Sequence, residues 1–465
     1  MLHLYNTLHR KKQLFEPLET GKVGLYVCGV TVYDVCHVGH GRVMIVYDVL
    51  YRHLLASGYK VKYVRNITDV DDKIIKRAAE HSVSPAELSQ RYIDEMHDDE
   101  RALHVLPPTH EPKATDTIES MQSLITRLIE AGHAYAADNG DVYYSVKSFP
   151  EYGKLSGRKV DELRAGERVA IDEHKHDPLD FVLWKAAKPT EPNWPSPWGP
   201  GRPGWHIECS AMSRDLLGDE FDIHGGGMDL EFPHHENEIA QSEALTNGRF
   251  ARYWMHNGLV RIDDEKMSKS LNNFLTIRDV LEQYTGEEIR TFIIGSHYRS
   301  PLNYMTESLD AARASLRRFY TALRGRPLSD IECDDFSVDE DFVMRFEAAM
   351  DDDLNTPEAM SVMHEVAGAL NKEAVLDSDR SIELANTLVS LGERLGILAG
   401  DAEQILQGEA SAGGPSSDDI EALIEQRNAA RAAKDFAKSD QIRDELAALG
   451  VILEDAGGKT SWRRE

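Results

Sequence analysis

Cysteine is scarce in this chain: four in 465 residues, irregularly placed at 28, 36, 209 and 333. That is no disulfide framework, and it fits a reducing compartment. No apolar run approaches the ~20 residues a membrane span needs. The opening "MLHLYNTLHRKKQ" lacks the basic, apolar, small-residue layout of a secretion signal. A cytoplasmic chain without a membrane partner is expected. Positive charge is also short, 52 Lys and Arg against 80 Asp and Glu, for a net −28. This excludes indiscriminate binding to nucleic acid, but not a nucleic-acid partner held by a local stripe of Lys and Arg. The length predicts about two to four domains.

What is present reads first as a doubly wound α/β protein. "VGLYVCGV" (23–30) predicts a buried strand and "RVMIVYDVLYRHLLASG" (42–58) a helix ending at Gly58. "YKVKYVRNIT" (59–68) predicts a second strand, and "DVDDKIIKRAAEHS" returns to helix. Short turns between them imply a parallel sheet. From about 120 to 200 the pattern breaks into charged loops around "GDVYYSV" and "DFVLWKAAK", which reads as an insertion. The alternation resumes with helix 206–218, strand 221–227 and helix 233–248. Beyond about 305 the chain is mostly helical, and the small, polar "GEASAGGPSSDD" (408–419) separates a last segment of about fifty residues.

Three groups carry chemistry. In "PHHENEIAQ", His234 and Glu238 stand four apart on one helix face, with His235 and Glu236 pointing elsewhere. A zinc-protease helix would need His where Ile239 stands. In an open parallel sheet, strand ends and the helix starts that follow converge on one edge. Cys28, Cys209 and His234 all project there, and with Glu238 they form a Cys2HisGlu set suited to Zn2+. Spacing is equally served by two inert buried cysteines and a salt-bridged helix. The second group, His37-Val38-Gly39-His40, lies between the first strand and its helix, where free N–H groups and a close backbone approach at Gly39 suit phosphate; a plain turn serves the pattern as well. The third, Lys266-Met267-Ser268-Lys269-Ser270, is either a polyphosphate-binding loop or a solvated basic one.

The second and third groups together resemble the class I aminoacyl-tRNA synthetases. "YVCGVTVYDVCHVGHGR", "GWHIECSAMS" and "HGGGMDLEFPHHENEIAQSEA" narrow the resemblance to the bacterial-type cysteinyl-tRNA synthetase family, and it extends to the closing "SDQIRDELAALGVILEDAGGKTSWRRE". Val38 replaces the commoner Ile, and Val30 stands where proline is frequent, leaving the turn after Gly29 looser. The resemblance implies one zinc on Cys28, Cys209, His234 and Glu238. It implies ATP phosphates on His37, Gly39 and His40, and pyrophosphate stabilised by Lys266 and Lys269. Gly225 to Gly227 would seat adenosine, with Asp229 on the ribose, and Trp205 would wall the amino-acid pocket. It also implies a Rossmann-type catalytic core in two halves (1–120 and 201–250) around a connective domain (121–200). A stem-contact region with the lysine-bearing loop (251–310), a helical bundle (311–407), the linker (408–419) and an anticodon-binding domain (420–465) would follow.

The implied reaction is two-step. The carboxylate of L-cysteine attacks the α-phosphorus of ATP–Mg2+, and the terminal ribose 2′-OH of tRNA(Cys) then takes the cysteinyl group. Serine differs from cysteine by one atom, and an apolar pocket separates such pairs by only about 10–200-fold. Zinc binds thiolate at ~2.3 Å and a neutral hydroxyl poorly, so no editing domain is expected. Four protein ligands ordinarily close a zinc site; Glu238 is expected to lengthen or leave as the substrate sulfur arrives. For tRNA, Arg313 and Arg317 lie one turn apart, and Arg427, Arg431, Lys434 and Lys438 are read as one basic helix face. A monomer is expected. Cys36 and Cys333 read as small apolar side chains. The alternatives weighed are a ligase joining cysteine to a small amine, an inactive tRNA-binding paralogue, and a zinc hydrolase, which lacks a paired base.

Overall fold

A computed structural model describes the chain except residues 160–172, 247, 263–264, 267–273, 329–336, 409–414, 457–458 and 465, with backbone alone at 265–266, 456 and 459. Lys269 and Cys333, the side chain of Lys266 and half of the small, polar linker therefore lie outside the described residues. Two compact units form: Met1–Ala312 with Arg345–Met360 and Arg394–Ile397, and Arg313–Met344 with Ser361–Glu393 and Leu398–Glu465.

The first unit opens with the hairpin β1 (His3–Asn6) and β2 (Lys11–Leu14). β3 (Lys22–Val27), α1 (Val38–Ala56), β4 (Lys60–Arg65), α2 (Asp72–His81) and α3 (Pro85–Ala102) follow. Then come α4 (Ile118–Glu130) and the antiparallel insertion β5 (Ala134–Ala136), β6 (Val142–Tyr144), β7 (Phe181–Ala186) and β8 (Gly201–Pro203). The core resumes with α5 (Trp205–Leu217), β9 (Phe221–Gly227), α6 (Glu236–Thr246) and β10 (Ala251–Asn257). β11 (Val260–Ile262), β12 (Glu265–Lys266), α7 (Ile277–Leu281), α8 (Gly286–Ile294) and β13 (Leu302–Tyr304) complete it.

The central sheet has the order β10-β9-β3-β4, every pair parallel. Strands covered on both faces need continuous apolar or small residues. In β3, Val23, Leu25, Tyr26 and Val27 are all buried, as is every residue of β9. The expected α/β core with an inserted sheet is what the chain forms. Two boundaries differ. α1 begins at Val38 rather than 42, because His37 and His40 cap it reciprocally. Regular α6 begins at Glu236 rather than 233: residues Glu231–His235 form a wider helical turn in which Phe232, ahead of Pro233, is extended (φ −142°, ψ 132°).

Helices α9 (Thr306–Leu323), α10 (Glu340–Asp351), α11 (Thr356–Leu370), α12 (Asp379–Leu395) and α13 (Ala402–Gln407) follow. Last come α14 (Ser417–Ala432), α15 (Phe436–Ala448) and the hairpin β14 (Val451–Ala456) and β15 (Lys459–Arg464). Ile420, Ile424, Ile442, Leu446, Val451 and Trp462 give this end a small core of its own. No helix among the described residues is long and apolar enough to cross a membrane.

Candidate active site

The C-terminal end of β3, the start of α1, the first turn of α5 and the turn after β9 enclose a cavity of about 300 Å3. Cys28, Gly29, Thr31, His37, His40, Trp205, Gly227 and Asp229 line it. A larger cavity of about 860 Å3 between the insertion and α6 carries none of the candidate residues.

Behind Cys28 the side chains of Cys209, His234 and Glu238 converge. All four are buried, and one donor atom from each lies within 4.8 Å of the others. Cys28 Sγ is 3.6 Å from Cys209 Sγ and 3.5 Å from Glu238 Oε1. His234 Nε2 lies 3.0 Å from Glu238 Oε1 without the direction of a hydrogen bond. Burial pushes the Cys28 thiol well up, and Cys209 and Glu238 push it further. Burial also opposes ionisation of Cys209, but the hydrogen bond from Cys28 and the charge of His234 bring it down to about 6. Against the cost of its burial, the imidazoles of His224 and His234 hold Glu238 down to about 2. His234 is raised to about 10 despite burial, by Glu238 and Cys209. Two sulfurs, an imidazole nitrogen and a carboxylate oxygen, with anionic charge on the sulfur pair and the carboxylate, form a group that can hold a metal ion.

The expectation that His235 points elsewhere is corrected. Its Nε2 lies 3.3 Å from Cys28 Sγ and its Nδ1 2.8 Å from His256 Nε2. The segment is buried on every side from 234 to 241, so a residue one step round the helix from His234 still faces the protein interior. Glu236 does turn away, accepting from Ser156 N and Oγ at 2.9 Å each. His224, which the sequence reading passed over, holds Glu238 Oε2 through Nε2 at 2.8 Å, and His206 meets His234 nitrogen to nitrogen at 2.9 Å. The alternation of β9 puts His224 on the α6 side, the one sequence signal for it.

At the helix start, His40 N donates to His37 Nδ1 and His37 N to His40 Nδ1, both at 3.2 Å, with the rings stacked 3.7 Å apart. Val38 N donates to Leu275 O. The free N–H groups expected at this terminus are thus engaged at Val38 and His40. The two imidazoles take over the role: an accepting Nδ1 fixes the tautomer whose proton sits on Nε2, a donor. Trp205 stacks on His234 at 4.2 Å. Gly225 is a packing glycine, since a Cβ there would lie 2.2 Å from Tyr47 Cε1 and it is not a lining residue of the cavity. At Gly227 an added Cβ would meet Asp229 Oδ1 at 2.6 Å.

The basic helix face expected near the end is also corrected. Arg427 and Arg431 lie on α14, Lys434 occupies the turn (φ 60°) and Lys438 lies on α15. Arg427 is only 7% exposed and grips Asp455 with two hydrogen bonds, 3.0 and 2.7 Å; Arg431 adds a third at 2.8 Å. The spacing was helical, but the turn at Lys434 breaks it, and an acid on β14 claims Arg427. Arg427→Glu is therefore expected to destabilise this end by about 2–3 kcal/mol, read by chemical unfolding. Hydrogen bonds from Arg427 and Thr460 hold the Asp455 carboxyl well below the usual carboxylate range. A carboxyl depressed in the folded state stabilises fully above its unfolded value, about 3.9, and loses that contribution as pH falls. Arg427→Gln should flatten this acid limb. Phe436, 63% exposed at the start of α15 between Lys434 and Lys438, is a surface aromatic the sequence reading missed.

Residues 14–314 match the family "tRNA synthetases class I (C) catalytic domain", 345–399 the DALR domain, and 416–463 the "Cysteinyl-tRNA ligase anticodon binding domain". The chain is 60% identical to the cysteine–tRNA ligase of Thioalkalivibrio sulfidiphilus and 58% identical to that of Laribacter hongkongensis, with all of each chain covered. In fold it is similar to a Mycobacterium tuberculosis methionyl-tRNA synthetase in complex with methionyl-adenylate. There the TM-score is 0.55 at 15% identity, over 81% of this chain and 90% of that one. Over its whole length, then, this chain belongs to the cysteine–tRNA ligase family of class I tRNA synthetases.

Proposed function

We propose that the chain ligates L-cysteine to the 3′ end of tRNA(Cys) through a cysteinyl-adenylate, using ATP with Mg2+ and a zinc ion held by Cys28, Cys209, His234 and Glu238. One observation carries this reading: Cys28 both lines the cavity that His37 and His40 face and belongs to the metal-ligating group. Bound there, zinc supplies a borderline-soft acid that a substrate thiolate satisfies and a serine hydroxyl does not.

The remaining chemistry falls to the chain's own residues. The cysteine carboxylate is already ionised, so no general base is needed for its attack on the α-phosphorus; the Pα–O bond to pyrophosphate breaks as the new one forms. His37 and His40 present Nε2–H donors where phosphate charge develops, and Lys266 and Lys269 oppose the departing pyrophosphate. Asp229 accepts from ribose hydroxyls, and Trp205 on His234 closes the wall beside the amino acid. In the second step the tRNA 2′-OH attacks the carbonyl carbon, its proton passes to the departing phosphate, and AMP leaves as the acyl C–O bond to phosphate breaks. Arg431, Lys434 and Lys438 are the remaining phosphate contacts proposed at the C-terminal end, with Phe436 offering a face on which a base stacks.

A ligase acting on a small amine would share the metal group and both nucleotide motifs, but has no use for a segment that matches an anticodon-binding family. Pyrophosphate exchange with cysteine or serine, with and without chelator, followed by charging of tRNA(Cys), tests the reading. Cysteine-dependent exchange that chelation abolishes is expected; exchange without charging would favour the small-amine ligase.

A further inference from the structure

Arg42 is only 1% exposed, and among the described residues no carboxylate pairs with it. Its guanidinium is spent on main-chain oxygens instead. Nη1 donates to Leu259 O at 3.0 Å, and Nη2 to Tyr298 O at 3.1 Å, to His297 O at 3.4 Å and to Ser300 O. Burial pushes the guanidinium down to about 10, so it remains charged at neutral pH. A buried cation solvated by carbonyls alone is a costly way to join two segments when apolar packing is available. What it gives in return is geometry, because the planar fork fixes several acceptors at once.

The acceptors belong to one junction. Leu259 O also takes Leu302 N, Gly258 N donates to Tyr298 O, and β11 runs parallel to β13 from Val260↔Leu302 onward. β11 pairs in turn with β12, with Arg261 opposite Lys266. Past the next residues the chain returns to the same turn of α1: Val38 N donates to Leu275 O and Ile277 N to Cys36 O, while the Phe274 ring stands edge-on to His37. Both stems of the lysine-bearing segment are thus fastened to residues 36–42. His40 and Arg42, two apart on a helix, project on opposite sides, one to the cavity and one to the junction.

We propose that Arg42 is a positioning residue for adenylate formation: it sets the strand pair that carries Lys266 at a fixed distance from His37 and His40. The inference rests on the cysteine-activating function above. It concerns one half-reaction only, because pyrophosphate has left before the amino acid is transferred to tRNA.

The test uses the full chain as Arg42→Gln, Arg42→Lys and Gly258→Ala. The last disturbs the same junction from its far side, where an added Cβ would lie 2.4 Å from Ser300 O. Rates are normalised to active sites by the adenylate burst. Arg42→Gln is expected to lower kcat for pyrophosphate exchange about 10–100-fold, as a displacement of about 1 Å does. KM for cysteine and the transfer from preformed adenylate should hold within about twofold, since neither uses the junction. Gly258→Ala should reproduce this split, and Arg42→Lys should recover part of the exchange. Equal loss in both half-reactions, full exchange in Arg42→Gln, or failure of both Arg42 variants to fold would overturn the proposal by leaving Arg42 merely structural. Absence of exchange in the unsubstituted chain would instead overturn the functional reading beneath it.

Discussion

Cys28→Ser is expected to strip the chain of bound zinc and to lower cysteine activation by at least about 10²-fold, a loss that removal of an outer-shell partner alone reaches. Cys28 is 5% exposed and has Cys209, His235 and Glu238 within 3.6 Å, so a replacement oxygen has no solvent to fall back on. A serine hydroxyl stays protonated near neutrality and is a poor partner for a borderline-soft cation. Discrimination against serine as substrate should contract toward the 10–200-fold limit of about that size for apolar pockets. KM for ATP should hold, because His37 and His40, the residues proposed to meet the phosphates, are fixed by their reciprocal cap on α1 and not by the sulfur pair. Metal content by atomic spectroscopy and exchange kinetics with cysteine, serine and ATP varied in turn measure all four. A variant that retains a full zinc complement and normal selectivity refutes the assignment.

The second large effect concerns charge on the departing pyrophosphate. His40→Ala and Lys269→Ala should each lower kcat for adenylate formation about 10²–10³-fold, the loss typical of one preorganised donor, with KM for cysteine nearly unchanged. The two differ in their side effects. His40→Ala also removes half of the reciprocal cap on α1, which costs about 1 kcal/mol of stability. Lys269→Ala should leave the melting transition in place. Rapid-quench measurement of adenylate formation beside thermal unfolding separates catalysis from capping; a parallel rise in KM for cysteine would place these residues in the amino-acid pocket instead.

The α/β core was legible because its strands are short apolar runs between turn residues, and both helical and strand periods survive without tertiary context. The metal-ligating group was legible only in part. Four donors far apart in sequence could be drawn to one sheet edge by topology, but choosing them over inert cysteines took the family resemblance. His235 was misplaced because a single inward face was assumed for a helix whose residues 234–241 are all buried. Arg427 was misread for a related reason. A four-three-four spacing is the same whether a helix continues or turns at Lys434, and charge on a sequence does not reveal that Asp455 waits on a later strand. Caps made by histidine, as at His37 and His40, fall outside the usual Ser, Thr, Asp and Asn signals, so α1 was read as starting a turn late.

The placement of the ligands along the chain has a consequence for biogenesis. Cys28 emerges early from the ribosome, Cys209 only after the whole inserted sheet, and Glu238 last of the four. A nascent chain shorter than 238 residues cannot assemble the complete donor set, however much of β3 and β4 has paired. The metal-ligating group can therefore be completed near the midpoint of synthesis, before any of the C-terminal helices has been made.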